Sequence, residues 1–128
     1  MFKRKKKTIF SPELDTEFYS LYYSDLAGKS EEALHRHWQQ FGRNENRSPN
    51  LARHLELHGI EKSVNTDFDV DVEFYIKTYP DVQQFGVKNH IQAKVHWLLH
   101  GQKEGRVRTL VEWMQSNGGY SALPVEKI

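Results

Sequence analysis

The chain has 128 residues, of which 38% are hydrophobic and 27% are charged, and it contains no cysteine. This length suits one domain or two small repeats that share a core, and the lack of cysteine excludes disulfide bonds and thiolate metal ligands. The formal net charge is +1, but residues 3–7 alone carry +5, so the rest of the chain carries −4. A slightly acidic body argues against a nucleic-acid-binding surface, and no nucleic-acid partner is expected.

Residues 1–10 are predicted to form a polar tail with five consecutive basic side chains. These are Lys3, Arg4, Lys5, Lys6 and Lys7. The simplest interpretation of such a run is a flexible, solvated terminus. The run would also be attracted to an anionic membrane surface, where each basic residue gains about 1 kcal/mol. The lack of cysteine fits a cytosolic location, and no apolar run approaches the roughly 20 residues of a spanning helix. We therefore expect a cytoplasmic protein that can lie peripherally at the inner membrane face.

Two segments of the chain, residues 15–47 and 71–106, have closely related sequences. Their first halves align at an offset of 56 residues and their second halves at an offset of 59, so three extra residues fall between the halves of the second copy. The matched pairs are Asp15/Asp71, Glu17/Glu73, Phe18/Phe74, Tyr19/Tyr75, Tyr23/Tyr79, Asp25/Asp81, His37/His96, Trp38/Trp97, Gly42/Gly101, Glu45/Glu104 and Arg47/Arg106. Such a pattern indicates a tandem repeat whose copies bury their apolar faces together.

The first repeat, residues 11–50, is predicted to form two helices. The first begins at Ser11 or Asp15, whose side chains can accept the free amides of a first helical turn. The second begins after the cap Ser30 and ends at Gly42, interpreted as a C-cap. Its predicted buried stripe consists of Ala33, Leu34, His37, Trp38 and Phe41.

The second repeat, residues 69–109, follows the same plan. Pro80 disfavours helical geometry at Tyr79, so its first helix is expected to stop at the equivalent place. Asn89 is the predicted cap of its second helix, and Gly101 is the predicted end.

Two further segments complete the predicted all-α architecture of two helix-turn-helix repeats with short linking and C-terminal helices. Residues 51–68 are interpreted as a linker that contains a short helix ending near Gly59. Residues 110–128 are predicted to contain one more short helix and an extended segment that leads into a further domain.

Seven histidines raise the question of a metal site. His54 and His58, and likewise His96 and His100, have the i,i+4 spacing that can direct two imidazoles at one ion. No third ligand is indicated, and Phe41 stands where the second repeat has His100. We therefore predict hydrogen-bonded histidines, with no metal and no other cofactor.

Two interpretations are open for the polar end of each repeat. Arg47 and Arg106 could bind phosphate or carboxylate, or they could form ion pairs with Asp25 and Asp81 of their own copies. The recurrence of both partners favours the ion pairs.

The repeated aromatic residues also have two interpretations. They are Phe18, Tyr19, Tyr23, Trp38, Phe74, Tyr75, Tyr79 and Trp97. Helical spacing favours a structural core, whereas exposed tyrosine and tryptophan faces would form a sugar-stacking groove. Since no Ser-His-Asp order and no glycine-rich phosphate loop is present, no catalytic residue is predicted.

The second copy contains Asp-x-x-Phe-Tyr-x-x-x-Tyr-Pro-Asp-Val, then His-Trp-x-x-x-Gly-x-x-Glu-Gly-Arg. This pattern resembles a repeat of bacterial cell-surface polysaccharide proteins that is found beside glycosyltransferase domains, and also in some giant-virus proteins. The first copy departs from this pattern at two positions, where Ser24 replaces Pro and Asn46 replaces Gly. Its turns can therefore differ from those of the second copy. The resemblance implies a non-catalytic helical module, N-terminal to a glycosyltransferase domain, that contacts that domain or another protein. The alternative is a carbohydrate-binding module.

Deleting residues 3–7 is expected to reduce the fraction of protein that sediments with anionic vesicles, because the deletion removes five positive charges. Sedimentation of the intact protein should also decrease with added salt, which screens this attraction. Neutral phosphatidylcholine vesicles provide the control. Sedimentation that responds to neither change would leave the tail as a solubility segment.

Overall fold

A computed structural model describes residues 10–116, which are helical and include no β-strand. The predicted all-α fold class is confirmed for this part of the chain. The protein divides into two compact units, the first ending at Ser63 and the second beginning at Val64. The boundary falls within the segment predicted to be a linker. The predicted tail of basic residues at 3–7 and the segment after residue 116 lie outside the described residues.

The first unit is built from three short α-helices: α1 (Thr16–Tyr22), α2 (Glu31–His37) and α3 (Leu51–Leu57). A 3₁₀ turn, Ser24–Leu26, follows α1. Helix α2 continues directly into a π-helical turn, Trp38–Gly42. The second predicted helix of the repeat is therefore present, but its last turn is wider than an α-helical turn.

The second unit repeats these elements: α4 (Val72–Thr78), α5 (His90–His96) and α6 (Leu110–Ser116). Its 3₁₀ segment, Pro80–Phe85, is longer than that of the first unit, and its π-helical turn is Trp97–Gly101. The extra residues of the second copy are thus taken up around the 3₁₀ segment, and the helices keep their lengths.

Helices α3 and α6 are also equivalent, since both ends of α6 lie 59 residues after those of α3. The sequence interpretation placed one of them in a linker and the other in a C-terminal segment. Each copy of the repeat therefore has three α-helices, where the sequence predicted two.

Side chains that accept first-turn amides start the α-helices. They are Asp15, Ser30, Asn50, Asp71 and Asn89, and Thr109 does the same for α6 by accepting the Glu112 N–H. Of the two predicted starts for α1, Asp15 is correct and Ser11 is wrong. Ser11 is buried, and its N–H donates to Nδ1 of His35 over 3.2 Å.

Each unit has its own apolar core. The core residues are Leu14, Tyr19, Leu26, Leu34 and Trp38 in the first unit, and Val70, Tyr75, Val82, Val87 and Ala93 in the second. Trp97 is only half-buried at the edge of the second core, where its ring meets Phe68 at a centroid distance of 5.2 Å. Phe74 is also half-buried, whereas its counterpart Phe18 is buried.

Phe41 was predicted to lie in the buried stripe of α2, and this prediction is wrong. Its side chain is 51% exposed, while Trp38 is 5% exposed. The physical reason is the π-helical turn, which contains more residues per turn than an α-helix and so rotates Phe41 away from the face that carries Trp38.

Replacing Trp38 by alanine is expected to cost about 3–5 kcal/mol of unfolding free energy, because a buried indole is removed from a packed core. Trp97→Ala should cost less, since Trp97 is only partly buried, at the edge of its core. Urea unfolding of the full chain measures both effects, and Phe41→Ala is the control that should change stability little. A neutral Trp38→Ala variant would contradict this description of the core.

Candidate functional site

The repeated polar residues of each unit converge on one buried tyrosine. Tyr19 and Tyr75 both have 0% exposure. The hydroxyl of Tyr19 lies 2.8 Å from Nδ1 of His37, and the hydroxyl of Tyr75 lies 2.8 Å from Nδ1 of His96. A buried hydroxyl needs such a partner, because leaving it without a hydrogen bond costs about 1–3 kcal/mol.

The repeated glycine makes room for this hydroxyl. A Cβ atom at Gly101 would lie 2.6 Å from the Tyr75 hydroxyl oxygen, and one at Gly42 would overlap the Tyr19 hydroxyl. Neither glycine has a left-handed backbone. The second helix of each repeat ends at its glycine, as predicted. The interpretation of Gly42 as a C-cap is wrong, because Gly42 is the last residue of a π-helical turn that packs against a tyrosine.

The second repeated tyrosine fastens the chain that follows the glycine. The hydroxyl oxygen of Tyr23 accepts the N–H of Ser48 over 2.6 Å, and that of Tyr79 accepts the N–H of Val107 over 2.9 Å. These bonds tie the segment after each π-helical turn to the end of the unit's first helix.

The ion pairs predicted from the sequence are present in both units. Arg47 donates to both carboxylate oxygens of Asp25, at 3.0 and 3.1 Å. Arg106 forms the same bidentate pair with Asp81, at distances of 3.1 and 2.9 Å. These hydrogen bonds lower the pKa of both carboxyl groups. Because the carboxylates are largely exposed, each pair contributes little net stability.

Each arginine is further held inside its own unit. The Nε of Arg47 lies 3.1 Å from Glu45, and its guanidinium lies 4.6 Å from the centre of the Tyr23 ring. Arg106 makes the same contacts in the second unit. Since the guanidinium groups are occupied by carboxylates of the same repeat, the geometry supports ion pairing over binding of an external anion.

The turn between glycine and arginine is the same in both copies. Asn46 has φ of 62° and Gly105 has φ of 75°, so both adopt the left-handed conformation that Gly and Asn tolerate best. The arginine N–H then bonds back to the carbonyl of Gly42 or Gly101, over 3.0 and 2.9 Å. The change from Gly to Asn in the first copy does not alter the turn.

The rings predicted as a possible sugar-stacking groove are mostly enclosed. Tyr19, Tyr75 and Trp38 are buried. Trp97 is half-buried, and the guanidinium of Arg108 lies 4.5 Å from its ring centre. Sugar stacking needs an accessible ring face, which the buried residues do not offer.

The histidine pairs that suggested a metal site make other contacts. Nδ1 of His58 donates to the backbone carbonyl of His54 over 2.8 Å. His96 bonds the tyrosine hydroxyl, and the His100 ring lies 5.7 Å from that of Phe85. In residues 10–116, no three side chains of the metal-binding types His, Cys, Asp and Glu are grouped.

Two features of the units were missed by the sequence interpretation. In the first unit, the Ser48 hydroxyl lies 2.6 Å from Nδ1 of His54, and both residues are buried. In the second unit, Arg108 pairs with Glu112 across the start of α6. Neither pair recurs in the other copy, so a search for repeated residues could not find them.

Comparison of the chain with protein-family models, with curated proteins and with solved structures finds no match.

Replacing Gly101 by alanine is expected to destabilise the second unit by about 1–3 kcal/mol, because the new Cβ would lie 2.6 Å from the buried Tyr75 hydroxyl and 2.9 Å from the Trp97 ring, so that packed groups must shift. Adding Tyr75→Phe removes the colliding oxygen, so the double variant should lose less stability than the sum of the two single variants. Urea unfolding measures this cycle, with the exposed Lys103→Ala as control. Strict additivity would contradict the proposed contact.

Proposed function

We propose that the chain is a non-catalytic helical module that positions a sugar-transferring enzyme domain or another protein partner. The observation that carries this proposal is that the repeated polar residues are used within their own units. Tyrosine hydroxyls bond to imidazoles or to backbone N–H groups, and the guanidinium groups bond to aspartate carboxylates of the same unit. These contacts support a structural role for the repeat, and a structural module acts through its surface.

The protonation states of the buried groups support a non-catalytic role. A proton-transfer residue works best when its pKa lies near the working pH. Burial instead raises the pKa of Tyr19 to about 12 and also raises the pKa of Tyr75. Burial lowers the pKa of His96. Tyr75 and His96 are thus held as a neutral pair.

The link to polysaccharide synthesis depends on the resemblance of the repeat to one found beside bacterial glycosyltransferase domains. We propose that this module is the N-terminal accessory part of such an enzyme. The basic residues 3–7 would draw it to the inner membrane face, where anionic lipid lies. Among the described helices, none has the length and apolar character needed to cross a bilayer.

An exposed phenylalanine in each unit is a suitable anchor for a protein partner. Phe41 is 51% exposed and Phe85 is 62% exposed. The two come from different elements, a π-helical turn and a 3₁₀ segment, yet each lies against the repeated histidine of its unit. Phe41 is 5.5 Å from His37, and Phe85 is 4.9 Å from His96. Both units therefore present an exposed aromatic ring beside the equivalent histidine, and aromatic residues, phenylalanine included, are enriched at the centres of protein–protein interfaces.

The test begins with the full open reading frame that encodes this chain. The encoded protein is produced with and without residues 10–116, and sugar transfer from nucleotide sugars is measured on a small soluble acceptor. We expect a transfer rate within about twofold after the deletion. Transfer by the 128-residue chain alone would overturn the non-catalytic assignment.

Binding of the isolated chain to the remaining protein is then measured by calorimetry. The variant with both Phe41→Ser and Phe85→Ser should bind at least about tenfold more weakly, a loss of about 1.4 kcal/mol. Leu57→Ser is the matched control, because Leu57 is similarly exposed, at 52%, on a different helix. If the unaltered chain does not bind, the positioning role is refuted. If the double phenylalanine variant binds as tightly as the Leu57→Ser control, Phe41 and Phe85 are not the contact with the partner.

A further inference from the structure

A buried imidazole occurs in the first unit at a position where the second unit has none. His54, on α3, is 5% exposed, and its Nε2 has no hydrogen-bond partner. Its Nδ1 lies 2.6 Å from the Ser48 hydroxyl. The equivalent residue of α6 is Trp113, which is half-buried. The feature is therefore specific to one copy of the repeat.

The ring of His54 is enclosed by groups from each element packed against it. Helix α1 contributes the rings of Tyr22 and Phe18, with centroids 4.7 and 6.0 Å away. The segment before α3 contributes Ser48, and α3 itself contributes His58, whose ring is 4.4 Å away. The titratable groups that face His54 are thus Tyr22 and His58, and burial raises the pKa of Tyr22. Neither ring nitrogen of His54 bonds to a carboxylate, since Nδ1 meets the Ser48 hydroxyl and Nε2 has no hydrogen-bond partner.

We infer that His54 is an acid-sensitive latch, which holds α3 against α1 in the first unit and releases it under mildly acidic conditions. The neutral ring packs like an aromatic side chain and is tolerated with one nitrogen unpaired. A protonated ring would place a positive charge in an apolar enclosure, with an N–H at Nε2 that has no acceptor.

The direction of the pH effect follows from the two protonation equilibria. Burial, and secondarily the charge of His58, lowers the pKa of His54 from an ordinary 6.5 to about 4. An undocked α3 therefore binds a proton more readily than a docked one. The contribution of His54 to docking is complete above pH 6.5 and is lost progressively as the pH falls towards 4. Release would uncover Phe18 and Tyr22 and would leave α6 unaffected.

Amide hydrogen exchange of the full chain at pH 7.5 and pH 5.0, corrected for the intrinsic exchange rate, tests this inference. The opening equilibrium of α3 should increase about 30-fold at pH 5.0, as expected for a group with these two pKa values. That of α6 should remain unchanged. His54→Leu should remove the pH dependence, and His90→Gln, at an exposed position, should retain it.

A second measurement does not depend on whether the His54→Leu variant folds. The imidazole of His54 in the unaltered protein is titrated by NMR. It should remain neutral down to about pH 5, and its protonation should coincide with the loss of α3 protection. An ordinary titration near pH 6.5 with α3 protection intact would overturn the inference.

Discussion

The structure of each unit depends on a tyrosine hydroxyl that is buried out of reach of water. Tyr75 fills the centre of the second unit with its ring and so brings a polar group into the core. Its hydroxyl needs a hydrogen bond and a space. His96 supplies the bond, and Gly101 supplies the space by having no side chain. The repeated tyrosine, histidine and glycine thus meet one need, which is to give a buried hydroxyl both a hydrogen bond and enough space. Tyr19, His37 and Gly42 meet the same need in the first unit.

The repeated residues therefore make structural contacts within each unit. Its arginine, aspartate and second tyrosine fasten the end of the repeat to the first helix. The Asp15 N–H bonds the carbonyl of Pro49 over 2.9 Å, and the Asp71 N–H bonds that of Arg108 over 3.1 Å. Features that differ between the copies, such as His54 against Trp113, are where the two units can acquire separate properties.

The sequence predicted those parts of the structure that depend on local chemistry or on repetition. The caps Ser30 and Asn89 follow from hydrogen-bonding propensity at helix starts, and the ion pairs follow from their recurrence. It could not reveal the equivalence of α3 and α6, because Leu51 and Leu110 are the only identical residues that these helices share in register. Tertiary packing keeps both helices in place after their sequences have diverged.

The errors in the predicted site have one physical source. A glycine after a helical pattern usually indicates a C-cap, and an apolar residue three positions after Trp38 usually lies on the same face. Both rules assume an α-helical turn. The π-helical turn changes the register of the last residues, so Gly42 faces the tyrosine and Phe41 faces solvent. Nothing in the local sequence distinguishes the two turn types, since the choice depends on the buried ring beneath.

The tyrosine–histidine bond joins the two halves of each repeat. A double-mutant cycle with Tyr75→Phe and His96→Gln, and a parallel cycle with Tyr19→Phe and His37→Gln, measures that coupling in the free energy of unfolding. The account predicts an interaction energy of at least about 1 kcal/mol in both units, because the remaining partner of a broken buried bond is left unsatisfied. Additive single substitutions in both cycles would contradict it.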